Sequence, residues 1–377
     1  MGSRGHHRGI VVIGAGIAGA SVAAELAAAG QDVLLLERES APGYHTTGRS
    51  AALYTPSYGP PVIRALTRAS AAAFNAPPSA ERPYPLLRPR DVLFVANAGQ
   101  GASLEAAAAD LPVTRISAAE ARAMLPLLRE DYLAGALHDA GSADIDVEAL
   151  HRQFLRALTA HRGELRLKAE VTGITRAGKG WRIETPQGEI TAEMLVNASG
   201  AWADDIARMA GVAPVGLVPK RRTAMLVAPP AGQNVDDWPM VVDIDETFYL
   251  RPDAGKLLLS PADETPSEPC DAQPDEWDVA LCIDRVQQAV DLPVRRIDHK
   301  WAGLRSFVAD KAPVVGPAPD AAGFVWVAGQ GGYGIQTAPA LGRTAAALAL
   351  GQPIPQDIAD HGVRAEALAP RRQALAA

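Results

Sequence analysis

Three groups of residues have the types and spacing to do chemistry, and the first is a run of glycines. Gly14-Ala15-Gly16-Ile17-Ala18-Gly19 is a G-x-G-x-x-G turn between the apolar run Ile10–Ile13 and the alanine-rich stretch Ala20–Ala29, with Glu37 closing the next apolar run, Val33–Leu36. In this context Gly14 permits the tight turn, Gly16 lets backbone approach a pyrophosphate, and Gly19 allows close helix–strand packing; the helix N-terminus stabilises the phosphate charge. Glu37 is placed to accept hydrogen bonds from ribose hydroxyls. A glycine turn without a ligand needs no following acid, so a bound dinucleotide is the reading, although this motif does not separate FAD from NAD.

The second group is Tyr44-His45-Thr46-Thr47-Gly48-Arg49-Ser50-Ala51-Ala52, whose hydroxyls, glycine and cation suit a second contact with a long dinucleotide. The third is Gly329-Gln330-Gly331-Gly332-Tyr333-Gly334-Ile335-Gln336, which follows the apolar run Val325–Ala328 and precedes a helix expected over Ala338–Leu350. A helix end bare of side chains stabilises negative charge by up to about 2 kcal/mol, which suits a group that becomes anionic on reduction. A capped helix with spare glycines explains the same residues equally well. Arg222 reads by itself as one charge among Lys220, Arg221 and Arg222 on a solvated face, and Tyr249 as a core aromatic. Arg305, between Trp301 and Phe307, is harder to place on a surface.

The elements that must hold these groups follow from the apolar pattern. Ile10–Ile13, the helix ending at Gly30 and Val33–Leu36 form a strand–helix–strand unit with a right-handed crossover. A helix is expected from Pro61 to Phe74, a domain crossing in the Pro-rich passage Pro77–Pro89, and a strand at Val92–Val95. Asp146 is an N-cap for a helix to Ala160, and three β-rich runs between Leu165 and Val196, broken by AGKG and PQG turns, read as an antiparallel meander. Strand-like runs follow at Ala224–Val227, Met240–Asp243, Phe248–Leu250 and Lys256–Leu259, with a helix near Trp277–Val290.

Composition narrows the functional class. A chain of 377 residues is long enough for two domains with separate cores. A net charge of −7 argues against a nucleic-acid partner. The two cysteines, Cys270 and Cys282, form neither a disulfide framework nor a metal site, so no metal is expected and a reducing, cytoplasmic setting fits. The basic MGSRGHHRG before an apolar stretch raises a secretory signal, and Ile10–Gly30 is long enough for a membrane span. Glu25 and the glycines favour a buried strand–turn–helix over either.

In order along the chain, GAGIAGAS with Glu37, GYHTTGRSAA, Val196-Asn197-Ala198-Ser199-Gly200-Ala201-Trp202 and GQGGYGIQ resemble the D-amino acid oxidase/glycine oxidase (DAO) superfamily of FAD enzymes. The likeness spans essentially the whole chain. It is strongest to D-arginine dehydrogenase, through GYHTTGRSAA, PKRR, DIDETFYL, WAGLRSFVAD and GQGGYGIQT. The resemblance implies an α/β fold of the DAO/glutathione-reductase-2 type: a Rossmann-like FAD-binding domain, and an α+β substrate domain on a mixed or antiparallel sheet. The FAD-binding domain would comprise 1–75, 146–214 and 301–377, and the substrate domain 76–145 and 215–300. It implies hydride transfer from a substrate carbon to the flavin, leaving an imine that water hydrolyses, with oxygen or another acceptor taking the electrons. Sarcosine oxidase relatives attach flavin to a cysteine just after the segment matching WAGLRSF; none stands there, so the FAD is expected to be non-covalent.

Carried over position by position, the resemblance implies that Arg222, Arg305 and Tyr249 hold a substrate carboxylate, and that Tyr58, in a mobile loop Thr55–Gly59, acts as a lid. The Gly332 carbonyl and Gln336 would lie near the substrate amine or the flavin. FAD contacts are implied for Gly14, Gly16, Ile17, Ala18, Gly19, Glu37, Arg38, Thr46, Thr47, Gly48, Arg49, Ser50 and Ala51. Further along they are implied for Val171, Ala198, Gly200, Trp202, Gly303, Gly331, Gly332, Tyr333, Gly334, Ile335 and Gln336. Two departures bear on the substrate: Leu53 stands where the arginine-specific enzyme has a histidine, and Val92 where it has the guanidinium-binding glutamate, with Asp91 able to replace that carboxylate if the loop slips by one. A guanidinium buried without a carboxylate is costly, so a pocket lined by Leu53, Val92, Met240 and Val242 predicts an apolar side chain. The expected substrate is a D-amino acid, or an N-substituted glycine that would release glyoxylate. An NAD(P)-dependent dehydrogenase and a non-catalytic flavin subunit are the competing classes.

Overall fold

The computed structural model describes residues 6–78 and 83–375; Met1–Gly5 of the basic N-terminus and residues 79–82 of the expected crossing lie outside the described residues. The apolar run that opens the glycine motif becomes the strand His6–Ile13, central in a sheet of eight strands. Val33–Leu36 and Gly188–Asn197 flank it in parallel, and Glu164–Arg166 extends the sheet beyond Val33–Leu36. Gly188–Asn197 divides its other edge between two partners. Its first half pairs antiparallel with Gly180–Thr185, and its end pairs parallel with Phe324–Ala328. The antiparallel meander therefore begins at Gly173, not at Leu165, which pairs with Leu35 on the opposite edge of the sheet. Burial on both sides explains why Ile10–Ile13, Val33–Leu36 and Phe324–Ala328 read as continuous apolar runs.

Helices Ile17–Ala28 and Gly334–Ala349 lie together on one face of this sheet, where Val22, Leu26, Leu341 and Ala345 share a core with Val12, Leu35 and Val325. Small residues set the approach: a Cβ on Gly342 would stand 2.8 Å from that of Ser21. The C-terminal helix begins at Gly334 and not Ala338, since Pro339 lies early in the helix, where its missing N–H forgoes one bond, to the Ile335 carbonyl. The expected cap on the helix Val147–Ala160 is present, Asp146 accepting from the Ala149 amide at 2.9 Å.

A second sheet of eight strands runs in the order Ile297–Phe307, Val218–Val227, Lys256–Ser260, Tyr249–Asp253, Met240–Asp243, Val92–Ala96, Gly135–Asp139 and Thr114–Ile116. All neighbours are antiparallel except Met240–Asp243 with Val92–Ala96. Strand alternation divides its side chains. Leu93, Val95, Met225, Val241, Leu250 and Leu259 pack under the helix Glu276–Ala289, while Val92, Phe94, Arg222, Met240, Val242, Tyr249 and Arg305 face the first sheet's domain. The strand Ile297–Phe307 belongs to this sheet along its length, so the expected domain boundary at residue 301 falls inside it. A three-stranded sheet of Leu53–Tyr54, Ala143–Ile145 and Leu87–Pro89 lies at the seam. Among the described residues, no helix is long and apolar enough to cross a membrane, and no group of His, Cys, Asp and Glu could hold a metal ion.

Candidate active site

Two cavities meet where the sheets face each other. The larger, of about 300 Å³, runs along the glycine turn and both helix N-termini, from Glu37, Arg38 and Trp202 at one end to Arg222, Tyr249 and Gly332 at the other. Glu37 closes the turn: its carboxylate accepts from the amides of Ala15 at 2.9 Å and Glu39 at 3.0 Å. Thr47 Oγ1 accepts from the Ile17 amide at 2.9 Å, which binds the Tyr44–Ala52 segment to the first turn of the helix. His151 supports the turn from behind, with Nε2–H donating to the Ala15 carbonyl at 2.9 Å; burial holds its pKa below the ordinary imidazole value, so the ring is neutral.

The C-terminal loop forms the opposite wall. Gly331 has φ 54°, and a Cβ there would fall 2.1 Å from the Phe307 ring, so only glycine fits the turn. Helix Gly334–Ala349 has no side-chain cap and no acidic residue in its first turn, leaving its positive end toward the cavity that Gly334 and Ile335 line.

The smaller cavity, of about 90 Å³, shares Ser50, Ala51, Arg222, Tyr249, Arg305, Gly332 and Ile335 with the larger one. Its wall is mostly apolar: Leu53, Val92, Phe94, Met240, Val242 and Ala262. At the junction stand two guanidinium groups. Arg222 is buried, its Nε has no partner, and its nearest carboxylate, Glu264 at 3.4 Å, is shared with Lys220 at 2.9 Å and Lys311 at 3.7 Å. Burial and the Arg305 cation push its pKa below the ordinary arginine value. For Arg305 burial also works against the charge, but the Tyr58 and Tyr249 hydroxyls outweigh it and hold the pKa above that value. Its guanidinium lies against Gly332, where a Cβ would stand 2.7 Å from Nη1. The junction thus carries more positive charge than its carboxylates neutralise, an arrangement that an incoming anion relieves.

Most residues expected from the sequence meet here. The large cavity is lined by Gly14, Gly16, Ile17, Ala18, Glu37, Arg38, Thr46, Thr47, Arg49, Ser50, Ala51, Val171, Ala198, Gly200, Trp202, Gly303, Gly331, Gly332, Gly334 and Ile335. Three expected contacts stand behind the wall instead. A Cβ on Gly19 would lie 1.8 Å from the Gly14 carbonyl, and one on Gly48 2.7 Å from the Gly43 carbonyl, so both serve the turns; Tyr333 packs with Ile63, Phe307 and Tyr58. Gln336 lines only the smaller cavity, its Oε1 accepting from the Thr55 amide at 3.1 Å while its buried Nε2 has no partner. Val92, in register with Met240, faces the pocket; Asp91 turns away to His138 at 3.3 Å and does not supply the missing carboxylate. The loop bearing Tyr58 is tied down by Thr55 and by Ser57, whose hydroxyl donates to Asp139 at 2.6 Å. Tyr58 stacks edge-on to Tyr333 at 5.0 Å, and burial raises its pKa although Arg305 opposes this. The sequence reading missed Phe94, which two-residue alternation from Val92 would have found, and Glu246, which sits within DIDETFYL and reaches the smaller cavity from a left-handed backbone, φ 54°. It also missed Asp205 and Met209 on the large cavity, which only the fold brings there.

An FAD fits these residues. The glycine backbone and the first helix end would hold a phosphate and Glu37 a ribose, while Gly331 and Gly332, whose bare α-carbons make way for Phe307 and Arg305, present backbone to the cavity beside the second helix end. Neither cysteine lines either of these two cavities. The comparisons agree. The chain matches the DAO family, described as FAD dependent oxidoreductase, over residues 9–348. It is similar to glycine oxidase of Geobacillus kaustophilus (strain HTA426), 27% identical over 238 residues, covering 63% of this chain and 62% of that protein. It is also similar to mitochondrial dimethylglycine dehydrogenase of Mus musculus, 26% identical over 239 residues, covering 58% of this chain and 27% of that protein. The aligned part is less than two thirds of either relative's length. Among solved structures, glycine oxidase from Geobacillus kaustophilus superposes with a TM-score of 0.80 at 23% identity, covering 92% of this chain and 96% of that one. L-alpha-Glycerophosphate Oxidase from Mycoplasma pneumoniae, solved with FAD bound, also gives 0.80, at 18% identity over 92% and 95%. At such identities the structures establish the fold, and the match across residues 9–348 establishes the lineage. The nicotinamide alternative falls with it: the chain belongs to the DAO family of FAD-dependent oxidoreductases.

Proposed function

We propose that this enzyme oxidises the C–N bond of a small carboxylate-bearing amine with an apolar side chain, a D-amino acid, to an imine that hydrolyses to a keto acid and ammonia. The observation that carries this reading is the pair of under-neutralised guanidinium groups, Arg222 and Arg305, beside Tyr249 at the junction of the two cavities. A carboxylate accepting from them gains roughly 1.5–3 kcal/mol per charged hydrogen bond, and with that end fixed the reacting carbon is aimed at the larger cavity. FAD, when bound, supplies the acceptor for the hydride. Leu53, Val92, Met240 and Val242 receive the side chain. Their cavity, about 90 Å³, is smaller than the roughly 150 Å³ that holds a benzene, which favours short aliphatic groups. Gln336 presents an unpaired buried amide N–H, and Tyr58 lines the same cavity.

Oxidation of an N-substituted glycine is the second reading, favoured by the similarity to glycine oxidase and dimethylglycine dehydrogenase. The carboxylate clamp would be the same, with the apolar pocket holding the nitrogen substituent. Anaerobic bleaching of the bound flavin by a panel of D-amino acids and N-alkyl glycines tests both. Bleaching by aliphatic D-amino acids supports the first, bleaching by N-alkyl glycines alone supports the second, and no bleaching by any carboxylate-bearing amine refutes both. With Cys270 and Cys282 both free thiols, the reading includes a reducing, cytoplasmic setting.

A further inference from the structure

A buried ionic cluster lies outside the two cavities at the seam between the sheets. Asp144, on the middle strand of the three-stranded sheet, meets two arginines of the substrate side. Arg90 Nη2 is 2.8 Å from its Oδ2, and Arg251 Nη2 is 3.0 Å from its Oδ1. The three side chains are 5%, 15% and 9% exposed for Arg90, Asp144 and Arg251. Arg90 also donates to the carbonyls of Asp236, at 2.7 Å, and Trp238, and Arg251 to that of Pro252 at 3.1 Å. Ion pairs buried this deeply add little net stability, because desolvation offsets the attraction; their better attested use is to fix a register.

The register fixed here is that of a pocket wall. Asp144 is paired directly with Leu53, so the two side chains leave the same face of that small sheet. The Ala52 carbonyl accepts from the Ile145 amide at 3.2 Å and lies 3.5 Å from Arg251 Nη1. Arg251 stands two residues from Tyr249 on one strand, and Arg90 two residues before Val92 at the start of another. Opposite walls of the smaller cavity, Leu53 on one side and Val92, Met240, Val242 and Tyr249 on the other, are therefore referred to one carboxylate.

We infer that Arg90, Asp144 and Arg251 are positioning residues that set the width of the side-chain pocket, and with it the length of aliphatic group the enzyme accepts. None of the three lines either of the two cavities described above. The inference rests on the smaller cavity being the side-chain pocket, as proposed above.

The test uses Arg251→Gln, which leaves Asp144 paired with Arg90, and Arg251→Lys, which restores a cation. Straight-chain alkanoates from propionate to octanoate, which carry the carboxylate but no oxidisable amine, are titrated into each holoenzyme and followed by the change in flavin absorbance. KM and kcat are then measured for the matching D-amino acids. The expected result is an optimum shifted by at least one carbon towards longer chains in R251Q, with the shortest ligands weakened at least fivefold, and a return to the wild-type profile in R251K. An unchanged chain-length profile, or an equal loss at every length in step with flavin content, overturns the inference. If R251Q does not accumulate as holoenzyme, Arg90→Gln carries the same test with the same two outcomes. A wild-type enzyme that binds no alkanoate and oxidises no carboxylate-bearing amine refutes the proposed function instead.

Discussion

Replacement of Arg305 by methionine isolates the carboxylate clamp. Methionine keeps an apolar stem of similar length and deletes the guanidinium that lies against Gly332 and meets Tyr58. A bound carboxylate then keeps Arg222 and Tyr249 and loses one charged partner, at a cost of about 1.5–3 kcal/mol, or roughly 10- to 160-fold in affinity. Two neighbours place the effect within that range. Arg222 is destabilised by the Arg305 cation, so removing it relieves Arg222 and favours the lower half; Glu264, shared among three cations, is not free to compensate further. The expected loss is about 10- to 50-fold. The assay compares a D-amino acid with its carboxamide by anaerobic flavin reduction. The acid should weaken and the amide should not, so their affinity ratio collapses in R305M while flavin content is unchanged. An unchanged ratio, or loss of flavin with substrate affinity retained, would refute the assignment.

Three further outcomes are expected. Gly19→Ala puts a methyl into the Gly14 carbonyl, 1.8 Å away, and should yield protein without flavin, read from the ratio of flavin to protein absorbance; a stoichiometric holoenzyme would contradict the packing role given to Gly19. Val92→Glu returns a carboxylate to a buried pocket position beside Met240, and should raise kcat/KM for a guanidinium-bearing D-amino acid relative to an aliphatic one by at least tenfold; no change in that ratio would show that Val92 does not face the side chain. His151 has a folded pKa depressed by burial, so its contribution is present above the unfolded value of about 6.5 and is lost as pH falls through it towards the lower folded value. In His151→Gln, whose amide can still donate to the Ala15 carbonyl, the fall in Tm below that pH should be shallower than in wild type. Equal slopes would assign the acid sensitivity to other groups.

The first unit of the fold is legible because its determinants are contiguous. A buried strand, a glycine turn, an alanine-rich helix and a terminal acid are each specified within a few residues, and Glu37 closes on Ala15 as the motif requires. The meander and the C-terminal helix were displaced at their starts for the opposite reason. Leu165 found a parallel edge already formed by Val33–Leu36, and packing allowed Pro339 inside a helix.

The proposed substrate site depended on pairings between distant strands. In the run Lys220-Arg221-Arg222 the sequence offers three equivalent cations. The strand turns Arg221 to Asp263 and Asp278, at 3.3 and 2.6 Å, and leaves Arg222 facing the cavity with a shared carboxylate. Arg305 joins it because Val218–Val227 and Ile297–Phe307 align Lys220 with Arg305 and Arg222 with Gly303, placing the two guanidinium groups on one face. Val92 was chosen over Asp91 in the same way, by its register with Met240, since a shift of one residue along a strand exchanges the pocket face for the other. The sequence by itself determined the strand, glycine turn and helix end that suit a dinucleotide, through local backbone geometry. Which charges line the proposed substrate site, and which apolar side chains lie beside them, was decided by the register between strands far apart in the chain.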